Sequence, residues 1–234
     1  MKIAGKIDNS FVDYPGNIAA AVFAAGCNLN CYYCHNRSII SAKDCTVLYS
    51  PALILKEIAA KKGFIDAVAV SGGEPTLQAA LPDFLRAVKS EGLLAKLDTN
   101  GTRPDVIQDL LREGLLDYIA MDVKAPPEKY GRITLSGVDI EAIKRSIGII
   151  KSGRVAYEFR TTFAPDLTAE DIESIARDLI PGARLYTVNQ YRAPEYDPRF
   201  LDKRLNAKPH SADAERDAAG RAGKHVEECV ARGI

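Results

Sequence analysis

Three cysteines fall within eight residues, in the run Gly26-Cys27-Asn28-Leu29-Asn30-Cys31-Tyr32-Tyr33-Cys34-His35-Asn36. The Cys-x3-Cys-x2-Cys spacing places three thiolates on one short loop. Thiolates suit zinc and iron–sulfur clusters, and three ligands to a cubane leave one iron without a protein ligand. An open metal position belongs to catalysis, whereas structural sites are closed. The plainer alternative is a structural zinc completed by Cys45 or His35. His35 adjoins Cys34, a poor geometry for chelating the same ion, while Cys45 lies within reach. A plant-type ferredoxin loop, Cys-x4-Cys-x2-Cys, differs by one residue.

Five further segments carry residues fit for ligand chemistry. Ser71-Gly72-Gly73-Glu74-Pro75 follows an apolar run. Its glycines let a backbone approach a ligand closely, and Glu74 can accept from an ammonium. A tight turn into a helix, opened by Pro75, would use the same residues. Leu97-Asp98-Thr99-Asn100-Gly101 and Ala120-Met121-Asp122-Val123-Lys124 form a pair: Asp98 and Asp122 at neighbouring strand ends could bracket a cation, and Lys124 is a point charge suited to a carboxylate. The same residues also suit a common Asn-Gly turn and a surface ion pair. Arg160 sits inside a strand, where a buried guanidinium needs an anionic partner. Asp13, before Tyr14-Pro15-Gly16, suits either a turn or contact with a substrate peptide.

These segments must be held by something, and the rest of the chain says what. Apolar runs at 18–25, 66–70, 93–98, 118–123, 155–162 and 185–190 read as strands. Helix-period segments alternate with them at 51–62, 77–91, 104–113, 139–152 and 168–179, the last opened by Thr168 as N-cap. Six alternations with strands this apolar imply a parallel sheet wrapped by helices. The expected architecture is α/β: a partial (β/α)6 TIM-like barrel over residues 1–195, and a C-terminal extension, 196–234, with a helix over 211–232. Almost every chemically loaded residue then lies at the C-terminal end of a strand, on the rim where such sheets bind ligands.

Composition agrees with an ordinary globular protein and excludes little else. The 234 residues are 47% hydrophobic and 26% charged, with 31 basic residues against 31 acidic ones. Such balance gives no sign of nucleic acid or a membrane surface as partner. The longest apolar runs fall far short of the ~20 residues of a membrane span, and the N-terminus lacks a signal-type apolar region. The expected setting is cytoplasmic. Five cysteines, an odd number, read as metal or catalytic thiols rather than a disulfide framework; Cys45 and Cys229 read as inert buried thiols, and His210 and His225 as surface residues.

Cys-x3-Cys-x2-Cys with an aromatic before the last cysteine resembles the signature of the radical S-adenosylmethionine (SAM) superfamily. The run Val12-Asp13-Tyr14-Pro15-Gly16, followed by Gly26 through Asn36, is similar to the glycyl-radical-enzyme activating branch. Nearest is the short activating protein of anaerobic ribonucleoside-triphosphate reductase; pyruvate formate-lyase activating enzyme is more distant. The resemblance runs from about residue 5 to 195. It implies an oxidoreductase in which Cys27, Cys31 and Cys34 hold a [4Fe–4S] cluster whose open iron binds SAM. Reductive cleavage would give a 5′-deoxyadenosyl radical and, from it, a glycyl radical on a partner enzyme, with a flavodoxin or ferredoxin as electron donor.

The resemblance also assigns residues. It gives Gly72, Gly73 and Glu74 to the SAM amino group, Lys124 and Arg160 to SAM, and Tyr33 to the adenine, with His35 and Asn36 beside it. Asp98, Asn100 and Lys124 fall at positions that hold SAM, and Asp98, Thr99 and Asp122 at positions that hold a monovalent cation. A departure occurs at Val188-Asn189-Gln190-Tyr191-Arg192, where pyruvate formate-lyase activating enzyme carries a histidine; Gln190 is the candidate substitute. Two other functions fit parts of the pattern. One is a radical SAM enzyme acting on a small molecule, like 7-carboxy-7-deazaguanine synthase. The other is a non-catalytic zinc or electron-transfer domain.

Overall fold

Alternation of side chains along parallel strands gives this protein two apolar layers of different character. The computed structural model describes residues 1–43, 45, 48–194 and 202–234. Its frame is one sheet of eight strands ordered as in the chain. β1 (Ile3–Ser10) runs antiparallel to β2 (Ala19–Ala24). From β2 the sheet is parallel through β3 (Ala67–Gly72), β4 (Leu94–Thr99), β5 (Tyr118–Asp122), β6 (Ala156–Phe163), β7 (Tyr186–Gln190) and β8 (Cys229–Arg232). The six parallel strands expected from sequence are β2–β7, with ends within two residues of the expected ones.

Helices cover the outer face: α1 (Pro51–Ala60), α2 (Leu81–Ser90), α3 (Pro104–Arg112), α4 (Pro127–Thr134), α5 (Ile140–Ser152), α6 (Ala169–Ser174) and α7 (Ala212–Ala222). Their starts follow local chemistry. Asp139 caps α5 by accepting from the amides of Glu141 and Ala142, and Thr168 with Asp171 forms a reciprocal capping box on α6. A π turn, Ile175–Leu179, continues α6. The helix expected from residue 77 begins only at Leu81, because Pro75–Leu77 forms a 3-10 turn with Glu74 accepting from the Thr76 amide.

Side chains of one parity on β3–β6, such as Val68, Val70, Leu97, Ile119 and Phe159, join the main core under the helices. The other parity faces the lumen. At its lower end Tyr14, Ala19, Ala67, Tyr118 and Ala120 make a small apolar plug. Above that plug the lumen is charged, which the apolar look of the strands conceals.

Three elements depart from expectation. β1 carries no apolar run in the sequence, because an edge strand that pairs on one side tolerates polar residues on its exposed half. α4 was hidden by Pro126, Pro127 and Gly131, which interrupt the helical pattern. The helix expected over 211–232 stops at Ala222, and Cys229–Arg232 turns back as β8 alongside β7. The boundary expected at 195–196 lies outside the described residues. The extension is tied to the barrel: the Arg204 guanidinium lies 4.0 Å from the Tyr32 ring centre, and His210 stacks on Phe163 at 3.8 Å. His210 is therefore a packing residue, and His225 lies 3.4 Å from Glu173. Among the described residues no helix is long and apolar enough to cross a membrane.

One buried group in the extension has a measurable consequence. Glu215 of α7 is fully buried, and neither carboxylate oxygen has a hydrogen-bond partner among the described residues. Burial pushes its carboxyl from an ordinary 4.5 up to about 7. Between those values the folded state binds more protons than the unfolded one, so stability falls as pH rises from 4.5 to 7 and stays low above. Glu215→Gln should raise stability at pH 8 by about 1–3 kcal/mol and change it little at pH 4.5. Thermal melts at the two pH values check this; an equal gain at both would refute it.

Candidate active site

The loop after β2 is built almost entirely by backbone hydrogen bonds. The amides of Gly26 and Cys27 donate to the carbonyls of Ile39 and Ile40, at 2.8 and 2.9 Å. Those of Asn30 and Tyr32 donate to Thr134 and Ile133, so the otherwise orphaned carbonyls ending α4 are satisfied by the cysteine loop. Arg37 donates to the Asn30 side chain and to the Cys31 carbonyl. Cys27, Cys31 and Cys34 emerge from this scaffold as free thiols that line one cavity of about 330 Å³. That volume suits a small-molecule ligand.

Around the same cavity lie Tyr33, His35, Asn36, Gly72, Gly73, Asp98, Thr99, Asn100, Asp122, Lys124, Arg160 and Gln190. Six strands, β2 through its cysteine loop and β3 to β7 directly, thus contribute to one cavity, as expected from the parallel sheet. Leu29, Ile40, Ser71, Thr162 and Arg192 complete the lining and were not anticipated. Thr162 was legible: it shares Arg160's strand parity.

The two glycines serve the scaffold first. Gly72 has φ +112°, and a Cβ there would stand 2.4 Å from the Ala24 amide nitrogen; one on Gly73 would stand 2.1 Å from the Gly26 carbonyl oxygen. They let the end of β3 lie against the root of the cysteine loop, where the Gly73 and Glu74 amides donate to Ala24 and Gly26. Asn36 donates to the Gly72 carbonyl at 2.9 Å, tying the far end of the loop to the same turn. Gly73→Ala must push Gly26 away. Iron uptake on anaerobic reconstitution should fall by about tenfold, while far-ultraviolet circular dichroism stays unchanged. Full uptake would contradict the close approach.

Glu74 is placed otherwise than expected. It is fully buried and does not line the cavity. Its Oε1 accepts from the Thr76 amide and hydroxyl and from the Thr99 hydroxyl, and its Oε2 from the Asn100 amide. Burial pushes its carboxyl upward, and these four donors draw it partly back. With three donors on Oε1, one on Oε2 and no exposure to the cavity, Glu74 organises the end of β4 in this structure. Asn100 likewise faces the loop: its Nδ2 donates to Asn28 Oδ1 at 3.0 Å and lies 3.9 Å from Cys27 Sγ, while its Oδ1 accepts from Thr102. Asp13 sits in the β1–β2 turn, at the end of the sheet opposite the cavity, its amide bonded to Ser10 Oγ.

Charges in the lumen are paired in a chain. Lys96 Nζ meets Asp98 Oδ1 at 2.6 Å, and Arg160 Nη1 reaches that oxygen at 3.4 Å. Arg160 Nε donates to Asp122 Oδ1 at 2.8 Å, and Lys124 Nζ to Asp122 Oδ2 at 2.8 Å. Burial opposes charge at Asp122, yet Arg160 and Lys124 outweigh it and hold the carboxyl well below the usual carboxylate range. Burial works against Lys124 too, and Asp122 reverses it, so the ammonium is charged. At the mouth Lys124 and Arg160 share Asp122, and these two cations suit an anionic ligand group.

The donor set fits a cluster. Burial pushes the Cys27 thiol up to about 12 and raises Cys31 and Cys34, so thiolates form here only against a compensating cation. Among the described residues no three His, Cys, Asp or Glu are placed to share a single ion, and the His35 ring is hydrogen-bonded to the Arg192 carbonyl. A single tetrahedral zinc is poorly served by this arrangement; three thiols around a wider volume suit a cubane. The monovalent cation does not fit. Asp98 and Asp122 already carry the ion pairs described, and Thr99 Oγ1 donates to Glu74 while accepting from Gly101.

Comparison with known proteins agrees with this geometry. The profile of the radical SAM superfamily matches residues 21–179. A Methanocaldococcus jannaschii protein named as a glycyl-radical enzyme activating enzyme is 37% identical over 207 residues, 85% of this chain and 83% of that one. The pyruvate formate-lyase 1-activating enzyme of Escherichia coli K12 is 38% identical over 139 residues, which are 53% of this chain and 54% of that enzyme. Among solved structures, Streptococcus suis SuiB bound to S-adenosylmethionine shares the fold with a TM-score of 0.66 at 13% identity, over 89% of this chain and 48% of that one. The chain belongs to the radical SAM superfamily, whose enzymes use a [4Fe–4S] cluster and S-adenosylmethionine.

Proposed function

We propose that this protein generates a glycyl radical on a partner enzyme of the anaerobic ribonucleotide reductase type. The observation that carries the reading is the single cavity collecting three thiols, the Gly72–Gly73 turn and the Asp122–Lys124–Arg160 pairs at the open end of the sheet. The similarity over 85% of the chain to a protein named as a glycyl-radical activating enzyme supports the branch.

In this reading Cys27, Cys31 and Cys34 hold the cluster, which supplies the electron for reductive cleavage of SAM. Gly72 and Gly73 present backbone to the SAM amino group, replacing the side-chain role expected of Glu74. Lys124 and Arg160, fixed by Asp122, receive the SAM carboxylate. Tyr33 and His35 border the adenine, with Asn36 and Gln190 nearby. Burial of Leu29, Cys31, Tyr32 and Tyr33 keeps water from the inner side of the reacting centre. The partner glycine approaches across the mouth, and a flavodoxin or ferredoxin supplies electrons. The unbridged thiols of Cys27, Cys31, Cys34 and Cys229 suit a cytoplasmic setting, where thiols stay reduced.

The test mixes reduced, SAM-loaded protein with anaerobic ribonucleoside-triphosphate reductase or pyruvate formate-lyase and records electron paramagnetic resonance. A glycyl doublet on the reductase is expected. A doublet on pyruvate formate-lyase alone would move the branch, and none on either would overturn the activating role.

A further inference from the structure

The lumen contains a buried ammonium that the cofactors do not call for. Lys96 points into the barrel from the middle of β4 and is 2% exposed. Its Nζ bonds Asp98 Oδ1 at 2.6 Å and stands 5.8 Å from the centre of the Tyr118 ring. Asp98 is thereby held between two fixed cations, Lys96 below and Arg160 beside it. Asp122 is held between Arg160 and Lys124. Glu158, lower in the lumen, is engaged by Thr187 and by Arg232.

A monovalent ion was the expectation at Asp98, Thr99 and Asp122, and these residues do not offer one a place. An alkali cation entering there would stand among three positive charges, Lys96, Lys124 and Arg160, and share oxygens that already accept from them. The charge it would bring is already present. We infer that Lys96 takes the place of an alkali cation, fixing Asp98 and through it Arg160, so that SAM binding needs no sodium or potassium. Lys96 is a positioning residue in this scheme: it touches Asp98, not the ligand. The inference rests on the reading that SAM occupies this cavity.

Physical chemistry favours the exchange. An ammonium on a strand is covalently delivered and loses no translational entropy when the site forms, whereas a free ion must be recruited and dehydrated. A lysine also cannot leave when salt is low. Burial of an unpaired lysine would be costly, and the short contact with Asp98 is what makes it tolerable.

The experiment is equilibrium dialysis of SAM against cluster-reconstituted protein in tetramethylammonium buffer, with sodium or potassium chloride added stepwise. The wild type should bind with an affinity that changes less than about twofold across the titration, after matching ionic strength. Lys96→Met should bind about tenfold more weakly without alkali ions and recover with potassium or sodium, because the ion now has room beside a carboxylate left with only the 3.4 Å contact to Arg160. Lys96→Arg, which keeps a cation, should stay insensitive to both salts.

Melting of the cluster-free proteins gives an independent readout. Potassium should raise the melting temperature of Lys96→Met and leave the wild type unmoved. Wild-type affinity that rises tenfold with potassium would overturn the inference, as would a Lys96→Met variant whose weak binding no alkali ion restores. Absence of SAM binding by the wild type in every salt would instead overturn the assignment of the cavity, and this inference with it.

Discussion

Cys31→Ala should lose the cluster while keeping the fold. Iron and sulfide after anaerobic reconstitution are expected to fall at least about tenfold, since even residues that only support a metal's ligands cost 10–100-fold when removed. The fold should survive because the loop does not depend on the thiol. The Cys31 carbonyl, not its sulfur, accepts from Arg37 and from the Cys34 amide, and the neighbouring amides of Asn30 and Tyr32 hold the end of α4. An alanine keeps all of these. The melting temperature of the cluster-free variant should therefore match that of the cluster-free wild type within about 2–4 °C, the change that about 1 kcal/mol gives at this size. Retention of a full cluster would mean that another residue supplies the third ligand.

Glu74 should behave in the opposite way. Glu74→Leu leaves four buried donors without an acceptor: the Thr76 amide, the Thr76 and Thr99 hydroxyls and the Asn100 amide. Each orphaned group costs about 1–3 kcal/mol, and relaxation recovers part of the sum, so a loss of about 3–5 kcal/mol is expected. Glu74→Gln keeps one acceptor oxygen but turns its carboxamide NH2 toward a donor, and should cost less. Urea unfolding of the two variants measures the ranking. Dialysis separates structure from ligation: any Glu74→Gln protein that remains folded should bind SAM within about tenfold of wild type. Unchanged stability with SAM binding abolished would return Glu74 to the role of a direct ligand.

These two residues also mark what could be read before the structure. Cys27, Cys31 and Cys34 were legible because their relation is local: three thiols within eight residues share a loop in any fold. The rim was legible because parallel strands bring their C-terminal ends to one side, so Asp98, Asp122 and Lys124 had to meet. Glu74 was misplaced because Gly-Gly-Glu-Pro says nothing of which way the carboxylate turns after a glycine at φ +112°. Its direction is decided by the Thr99 and Asn100 groups, 25 and 26 residues away.

Lys96 offered a signal that went unused. A lysine in the interior of a central parallel strand is buried on either face and must have a partner, and Asp98 lies two residues on, at the same parity. That pairing withdraws Asp98 from the cation role. β8 had no comparable signal. Its sequence, Cys229-Val230-Ala231-Arg232, is too short to separate from a helix end, and only the exposed edge of β7 makes it a strand.

The most direct test of the central claim is the fate of SAM itself. Wild-type protein, reconstituted and reduced without oxygen, should convert SAM to 5′-deoxyadenosine and methionine in equal amounts, and Cys31→Ala should yield neither above background. 5′-Deoxyadenosine from Cys31→Ala at the wild-type level, or none from a wild type shown to carry a reduced [4Fe–4S] cluster, would contradict the account.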